Sequence, residues 1–183
     1  MCSSDLFEEL KLKPKKQPNW NEWKKLVHRI VEPSHKVNVA IVGKYLDIGD
    51  YSLADSYLSI SQSLIHAGAA LNTKVDITWI DSKDFEGSKS TSQLKKFDGV
   101  ILPGGFGSSG VDGKIAAAKF ARENKIPFLG LCYGMQLAVV EFARNVCGMK
   151  GAHTTEVDPD TEYPVIDIQD RKSTRLNSSH QII

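Results

Sequence analysis

Cysteine is scarce in this sequence. The 183 residues hold three, Cys2, Cys132 and Cys147, at spacings that give neither a disulfide framework nor a CxxC metal pair. The five histidines are scattered without ligand spacing, so no metal site is expected. An excess of one charge sign is missing too. Lys and Arg total 23 against 22 Asp and Glu, for a formal net charge of +1, and no basic stripe interleaves with aromatics, which excludes nucleic acid as a partner. No apolar run is long enough to cross a bilayer, and the N-terminus lacks the basic, apolar and small-residue order of a signal peptide. The expectation is a soluble, cytoplasmic protein with no membrane partner, whose length suits one α/β domain rather than a two-domain enzyme.

The two ends share no period or cap with their neighbours. "MCSSDL" (residues 1–6) and "DRKSTRLNSSHQII" (residues 170–183) both read as translations of common sequencing-adapter DNA. They are therefore expected to be non-native, with native residues running from about Phe7 to about Gln169 and the natural protein extending past both ends. On that reading Cys2 and His180 carry no chemistry. Residues 7–36 form a basic, Pro-containing linker with a helix, and residues 37–169 a partial domain.

Within the linker, Trp20, Trp23, Val27 and Ile30 follow helical spacing, with Asn19 as N-cap and Pro33 as stop. Val37–Val42 reads as a strand buried on both faces. A helix follows, with apolar positions at Leu53, Tyr57, Ile60, Leu64 and Ala67. The strand "KVDITWID" is next, then a polar loop with a short helix. "FDGVILPGG" is a third strand running into glycines, "KIAAAKFAREN" a helix, "IPFLGLC" a fourth strand, "YGMQLAVVEFARNV" the helix behind it, and Val165–Ile168 a last strand. Four strand–helix alternations predict a doubly wound parallel sheet, whose ligands sit beyond the carboxyl ends of the strands. Two features lie at such ends: PGGFG after the third strand and LCYGMQ after the fourth.

Cys132 is either a small buried hydrophobe or a nucleophile. Gly130 and Gly134 flank it as G-x-C-x-G, the cysteine counterpart of the strained elbow that lifts a serine above an α/β sheet. A helix N-terminus favours an anion and hence a thiolate. The Tyr133 N–H would then face a developing oxyanion, with a second donor from Gly104–Gly105; each such donor is typically worth about 3–4 kcal/mol. The Gly-rich loop on the neighbouring strand favours the nucleophile. Cys147, in "NVCGMK", reads as structural, as do His28 and His66 on their helices. PGGFG could also cradle phosphate, but no Lys-Ser/Thr follows it.

PGGFG followed by "GLCYGMQLAVVEFARN" resembles the class I (triad) glutamine amidotransferases. "AIVGKY", "DSYLSISQSLIHAG", "FDGVILPGGFG", "ARENKIPFLGLC" and "YPVIDI" are similar to that domain in the CTP synthase family, from about Asn19 to Gln169. The fold implied is a flavodoxin- or Rossmann-like amidotransferase, C-terminally incomplete. The resemblance implies a glutamine-hydrolysing half that passes ammonia to an ATP- and Mg²⁺-dependent synthase half aminating UTP to CTP, with GTP as activator and a homotetramer built mainly on the synthase half. It implies Cys132 as the nucleophile forming a glutamyl thioester, Gly105 and Tyr133 as oxyanion and glutamine contacts, Gly134, Met135 and Gln136 as the rest of the substrate loop, and Glu156 as a buried carboxylate for the substrate's amino end.

There are departures. Tyr133 stands where the family usually has Leu, which matters little if the donor is backbone. Ser109 stands in place of the usual Arg of the segment after PGGFG, Ser108–Lys114, which puts GTP activation in question. The triad His-x-Glu and the Arg for the substrate carboxylate are expected beyond residue 169, since His153 precedes the last strand; without the histidine, a cysteine has no general base. The alternatives are a stand-alone γ-glutamyl hydrolase of this fold and a non-catalytic, degenerate amidotransferase module.

Overall fold

The structure is a computed structural model that describes residues 9–12, 16, 19–44, 47–48, 51–52, 57–87 and 90–168. The adapter-like ends, Gln169 and Leu53 lie outside the described residues.

Helix α1 spans Asn21–Val31, with Glu22 in its first turn and His28 and Arg29 in its last, the arrangement its dipole favours. The N-cap position is Trp20 rather than Asn19; Asn19 Oδ1 instead accepts from the Asn21 N–H at 3.0 Å, serving the first turn from one residue further out. The periodic stripe correctly marks a helix, yet none of its residues is buried, and Trp23, Val27 and Ile30 remain exposed.

Strand β1 (His35–Gly43) is followed by a short antiparallel pair, β2 (Asp47–Ile48) and β3 (Tyr51–Ser52), which the sequence pattern did not suggest. Helix α2 runs Leu58–Ala70, and β4 runs Thr73–Asp81. The polar stretch after β4 holds two short 3₁₀ helices, Ser82–Phe85 and Ser92–Lys96, before β5 (Gly99–Leu102). Then come α3 (Val111–Glu123), β6 (Phe128–Gly130) and α4 (Tyr133–Asn145). Two short strands, β7 (His153–Thr154) and β8 (Pro164–Ile166), pair in parallel with each other.

The main sheet has the order β4-β1-β5-β6 and is parallel throughout. The chain moves outward from β1 to β4, then returns past β1 to β5 and on to β6. Right-handed crossovers in opposite directions put their helices on opposite faces, and the reversal opens a crevice at the carboxyl ends of β1 and β5. Burial of β1 is confined to its carboxyl half, where Ala40, Ile41 and Val42 are inaccessible; Val37 and Val39 are only half-buried, so the expected two-sided burial covers only the end nearest the crevice.

One apolar cluster joins Ala40, Val42, Val100 and Leu102 of the sheet to Ala117, Ala118 and Ala121 of α3. A second joins Val111 and Ile115 of α3 to Tyr133, Leu137 and Val140 of α4. The same two helices are tied by Arg122, whose Nε and Nη2 fork onto the buried carboxylate of Glu141 at 3.0 and 2.7 Å; such a two-pronged pair fixes orientation as well as distance. The consequence for the site is a rigid seat: β5, β6 and the first turn of α4 are held in one packed block.

Candidate active site

Cys132 occupies the turn between β6 and α4 at φ 49°, ψ −110°, a left-handed conformation that non-glycine residues rarely adopt. Its flanking glycines explain how the turn is made. A methyl group on Gly130 would lie 2.7 Å from the Met135 backbone, and one on Gly134 would lie 2.1 Å from the Leu102 carbonyl oxygen. The helix thus begins pressed against β5, and the Leu131 N–H donates to the Leu102 carbonyl at 2.9 Å. Cys132 is consequently exposed at the head of the sheet. The PGGFG loop comes to it from β5: a methyl group on Gly104 would stand 3.6 Å from Cys132 Cβ.

The loop is tied down on several sides. The Tyr133 hydroxyl donates to the Gly107 carbonyl at 2.9 Å, and Glu156 Oε1 accepts from the Gly107 N–H at 2.6 Å. The Tyr133 phenol is pushed up to about 12, first by burial and then by the nearby Glu156 carboxylate, so it remains a neutral donor. The Tyr133 side chain therefore anchors the loop, which gives a physical reason for a phenol at a position where the resemblance leads one to expect Leu. Glu156 is not the buried carboxylate expected: it sits exposed in the turn after β7, with one oxygen on the loop.

Of the other residues singled out, Gly105 lies within the loop, and Gly134 is buried in the first turn of α4. Met135 is 54% exposed and lines an apolar hollow along α4 with Val139, Phe142 and Cys147. Gln136 is half-buried, its N–H donating to the Cys132 carbonyl at 3.1 Å. Cys147, read as structural, has an exposed thiol. Ser108 and Ser109 are exposed ahead of α3. His153 is buried in β7, where its Nδ1 accepts from the Thr154 N–H at 2.9 Å; burial, and then Arg144, hold its pKa below the usual histidine range. Among the described residues no histidine hydrogen-bonds to Cys132, no cluster of His, Cys, Asp and Glu could hold a metal ion, and no helix is long and apolar enough to cross a membrane.

One residue of this site was not anticipated as such. Lys114, in the first turn of α3, is fully buried; its Nζ lies 3.4 Å from the Pro103 carbonyl and 5.8 Å from the centre of the Tyr133 ring. Burial, followed by the charge of Lys44, lowers its pKa from 10.5 to about 8. A signal was present: Lys114, Ala117, Ala118 and Ala121 share one helical face, and the three alanines are core.

The site is thus an exposed cysteine on a strained strand-to-helix turn, with a glycine loop against it, at the head of an open parallel α/β sheet. The family described as "Glutamine amidotransferase class-I" matches residues 52–181, and the chain belongs to it. Within that family the likeness is to the glutaminase domain of CTP synthases. The CTP synthase of Methanocaldococcus jannaschii is 51% identical over 161 residues, covering 85% of this chain and 29% of the relative. That of Pyrococcus furiosus is 48% identical over 179 residues, covering 97% and 32%. The chain thus spans about a third of the length of the curated relatives it matches. Among solved structures, the glutaminase domain of Trypanosoma brucei CTPS with bound acivicin superimposes with a TM-score of 0.66 at 42% identity, covering 73% of this chain and 50% of that one.

Proposed function

We propose that this chain is part of the glutamine-hydrolysing half of a CTP synthase, with Cys132 as the nucleophile. The observation that carries the proposal is the geometry of Cys132, which stands at positive φ on a turn made possible by Gly130 and Gly134, with Gly104 against its Cβ. In the reaction, the Cys132 thiolate adds to the γ-carboxamide carbon of glutamine, and the oxyanion forms against the N–H groups of Tyr133 and Gly105. Collapse breaks the C–N bond and leaves a γ-glutamyl thioester, while the departing nitrogen takes up a proton and leaves as ammonia. Water then attacks the thioester, giving glutamate and restoring the thiol. Gly134, Met135 and Gln136 border the substrate, and the exposed carboxylate of Glu156 meets its ammonium.

The ammonia serves amination of UTP to CTP in a synthase part that uses ATP with Mg²⁺ and builds the homotetramer. For GTP, the exposed Ser108–Ser109 pair offers no guanidinium where the family pattern carries one, so no GTP contact is assigned to it.

The triad histidine and glutamate are proposed to lie beyond residue 169. The consequence is specific: purified as it stands, the chain releases no ammonia from glutamine above a Cys132→Ala control in a coupled glutamate dehydrogenase assay. Cys132-dependent release from this chain would mean that a base is already present in it.

A further inference from the structure

We propose that Lys114 is a positioning residue of the glutamine site, a buried ammonium that holds the Pro103–Gly104–Gly105 turn over Cys132. The inference rests on the function proposed above for the loop, but the contact itself does not depend on that function. Lysine is rarely found fully buried without a compensating partner, and here the ammonium ends among groups of one local structure. Its Nζ donates to the Pro103 carbonyl at 3.4 Å, lies over the Tyr133 ring, and stands 3.6 Å from where a Gly105 side chain would begin. No carboxylate pairs with it among the described residues, so the carbonyl and the ring face are what it holds. The far end of the same loop is met by a second lysine, since Lys44, just after β1, donates to the Phe106 carbonyl. Both carbonyls flanking the Gly104–Gly105 pair are thus capped by cations, and glycines that would otherwise sample many conformations are presented to Cys132 in one.

The arrangement has a cost that marks it as more than packing. Because the folded Lys114 releases its proton near pH 8 and the free side chain near 10.5, the unfolded chain binds more protons between those values. Global stability therefore rises with pH through that window, and the charged lysine is a net burden below it. The grip on the Pro103 carbonyl has the opposite dependence, since a charge-assisted hydrogen bond is stronger than a neutral one. The groups facing Lys114 are Lys44, which follows β1, and the Tyr133 ring from α4, with Glu156 after β7 reached through Tyr133 and Gly107; Cys132 Cβ faces Gly104. Tyr133, at about 12, stays neutral throughout this range.

The test is amide hydrogen exchange at Gly104, Gly105 and Phe106, corrected for its intrinsic pH dependence, on the whole chain in a Cys132→Ala background that removes the thiol. Lys114→Met and Lys114→Arg are compared with the parent. At pH 7 the loop is expected to exchange about tenfold or more faster in Lys114→Met, the loss of one hydrogen bond to a charged group, and the arginine variant to recover part of the protection. Between pH 7 and 9.5 the parent's loop loosens toward Lys114→Met while its resistance to urea increases. Loop exchange unchanged in Lys114→Met, or a parent loop indifferent to pH across this range, would overturn the proposal. Should Lys114→Met fail to fold, the parent's pH series decides alone. If loop exchange responds as stated but the full-length enzyme releases no ammonia, the brace stands and the functional reading falls.

Discussion

Cys132→Ala in the full-length enzyme proposed above is expected to abolish ammonia release from glutamine, with a loss on the order of 10⁶-fold, as when a nucleophile is removed from a triad. CTP formation from added ammonia is expected to survive, because that route bypasses the thioester. The paired measurements are a glutaminase assay and a UTP amination assay with ammonium chloride, each run on parent and variant. The prediction follows from the turn: an exposed cysteine at the head of α4 whose Cβ faces Gly104, at a helix start whose dipole favours an anion. Retained glutaminase would move the chemistry to another residue. Loss of both activities would show that Cys132 also supports the synthase reaction or the fold.

The second large effect is structural. Gly134→Ala places a methyl group 2.1 Å from the Leu102 carbonyl oxygen and 2.7 Å from its carbon, both backbone atoms of β5. Neither can yield as a flexible side chain would, so α4 must lift from the sheet. Overpacking of this kind costs roughly 3 kcal/mol or more, which for a domain of this size lowers the Tm by about 10 °C. Gly99→Ala is the matched control. Its new methyl would meet the Pro127 carbonyl oxygen at 3.7 Å and a Val39 methyl at 3.9 Å, ordinary contacts, and its Tm is expected to stay within about 2 °C of the parent. Equal melting of the two variants would contradict the close approach of α4 to β5 on which the elbow depends.

Much of the fold was legible because the signals were local. The Val/Ile runs of β1 and β5 and the periodic stretches of α2 and α4 each announce an element within a window of about ten residues, and their alternation implies the parallel sheet. G-x-C-x-G was legible for the same reason, since its glycines mark a place where backbones meet. What was not legible depends on partners far along the chain. The Trp20, Trp23 and Val27 stripe marks a helix but does not specify what covers it. Glu156 could be matched to a role by resemblance, yet its exposure follows from where the turn after β7 meets Gly107. Lys114 lies between: its place on the alanine face of α3 was readable, but strong helix formers around a lysine suggest a solvent-facing position, and only the packing of α3 against Tyr133 reverses that. The tight seat of Ser82 against Gly110 and Gly113 likewise joins segments remote in sequence.

The most direct test of the central claim uses the fact that, among the described residues, both Cys132 and Cys147 are exposed, so exposure alone does not discriminate between them. The full-length enzyme is incubated with a glutamine-shaped chloroketone, and the labelled peptides are mapped by mass spectrometry with and without excess L-glutamine. The account predicts a single label on Cys132, suppressed by glutamine, with Cys147 unmodified. Equal labelling of both thiols, or labelling of Cys132 that glutamine does not suppress, would contradict it.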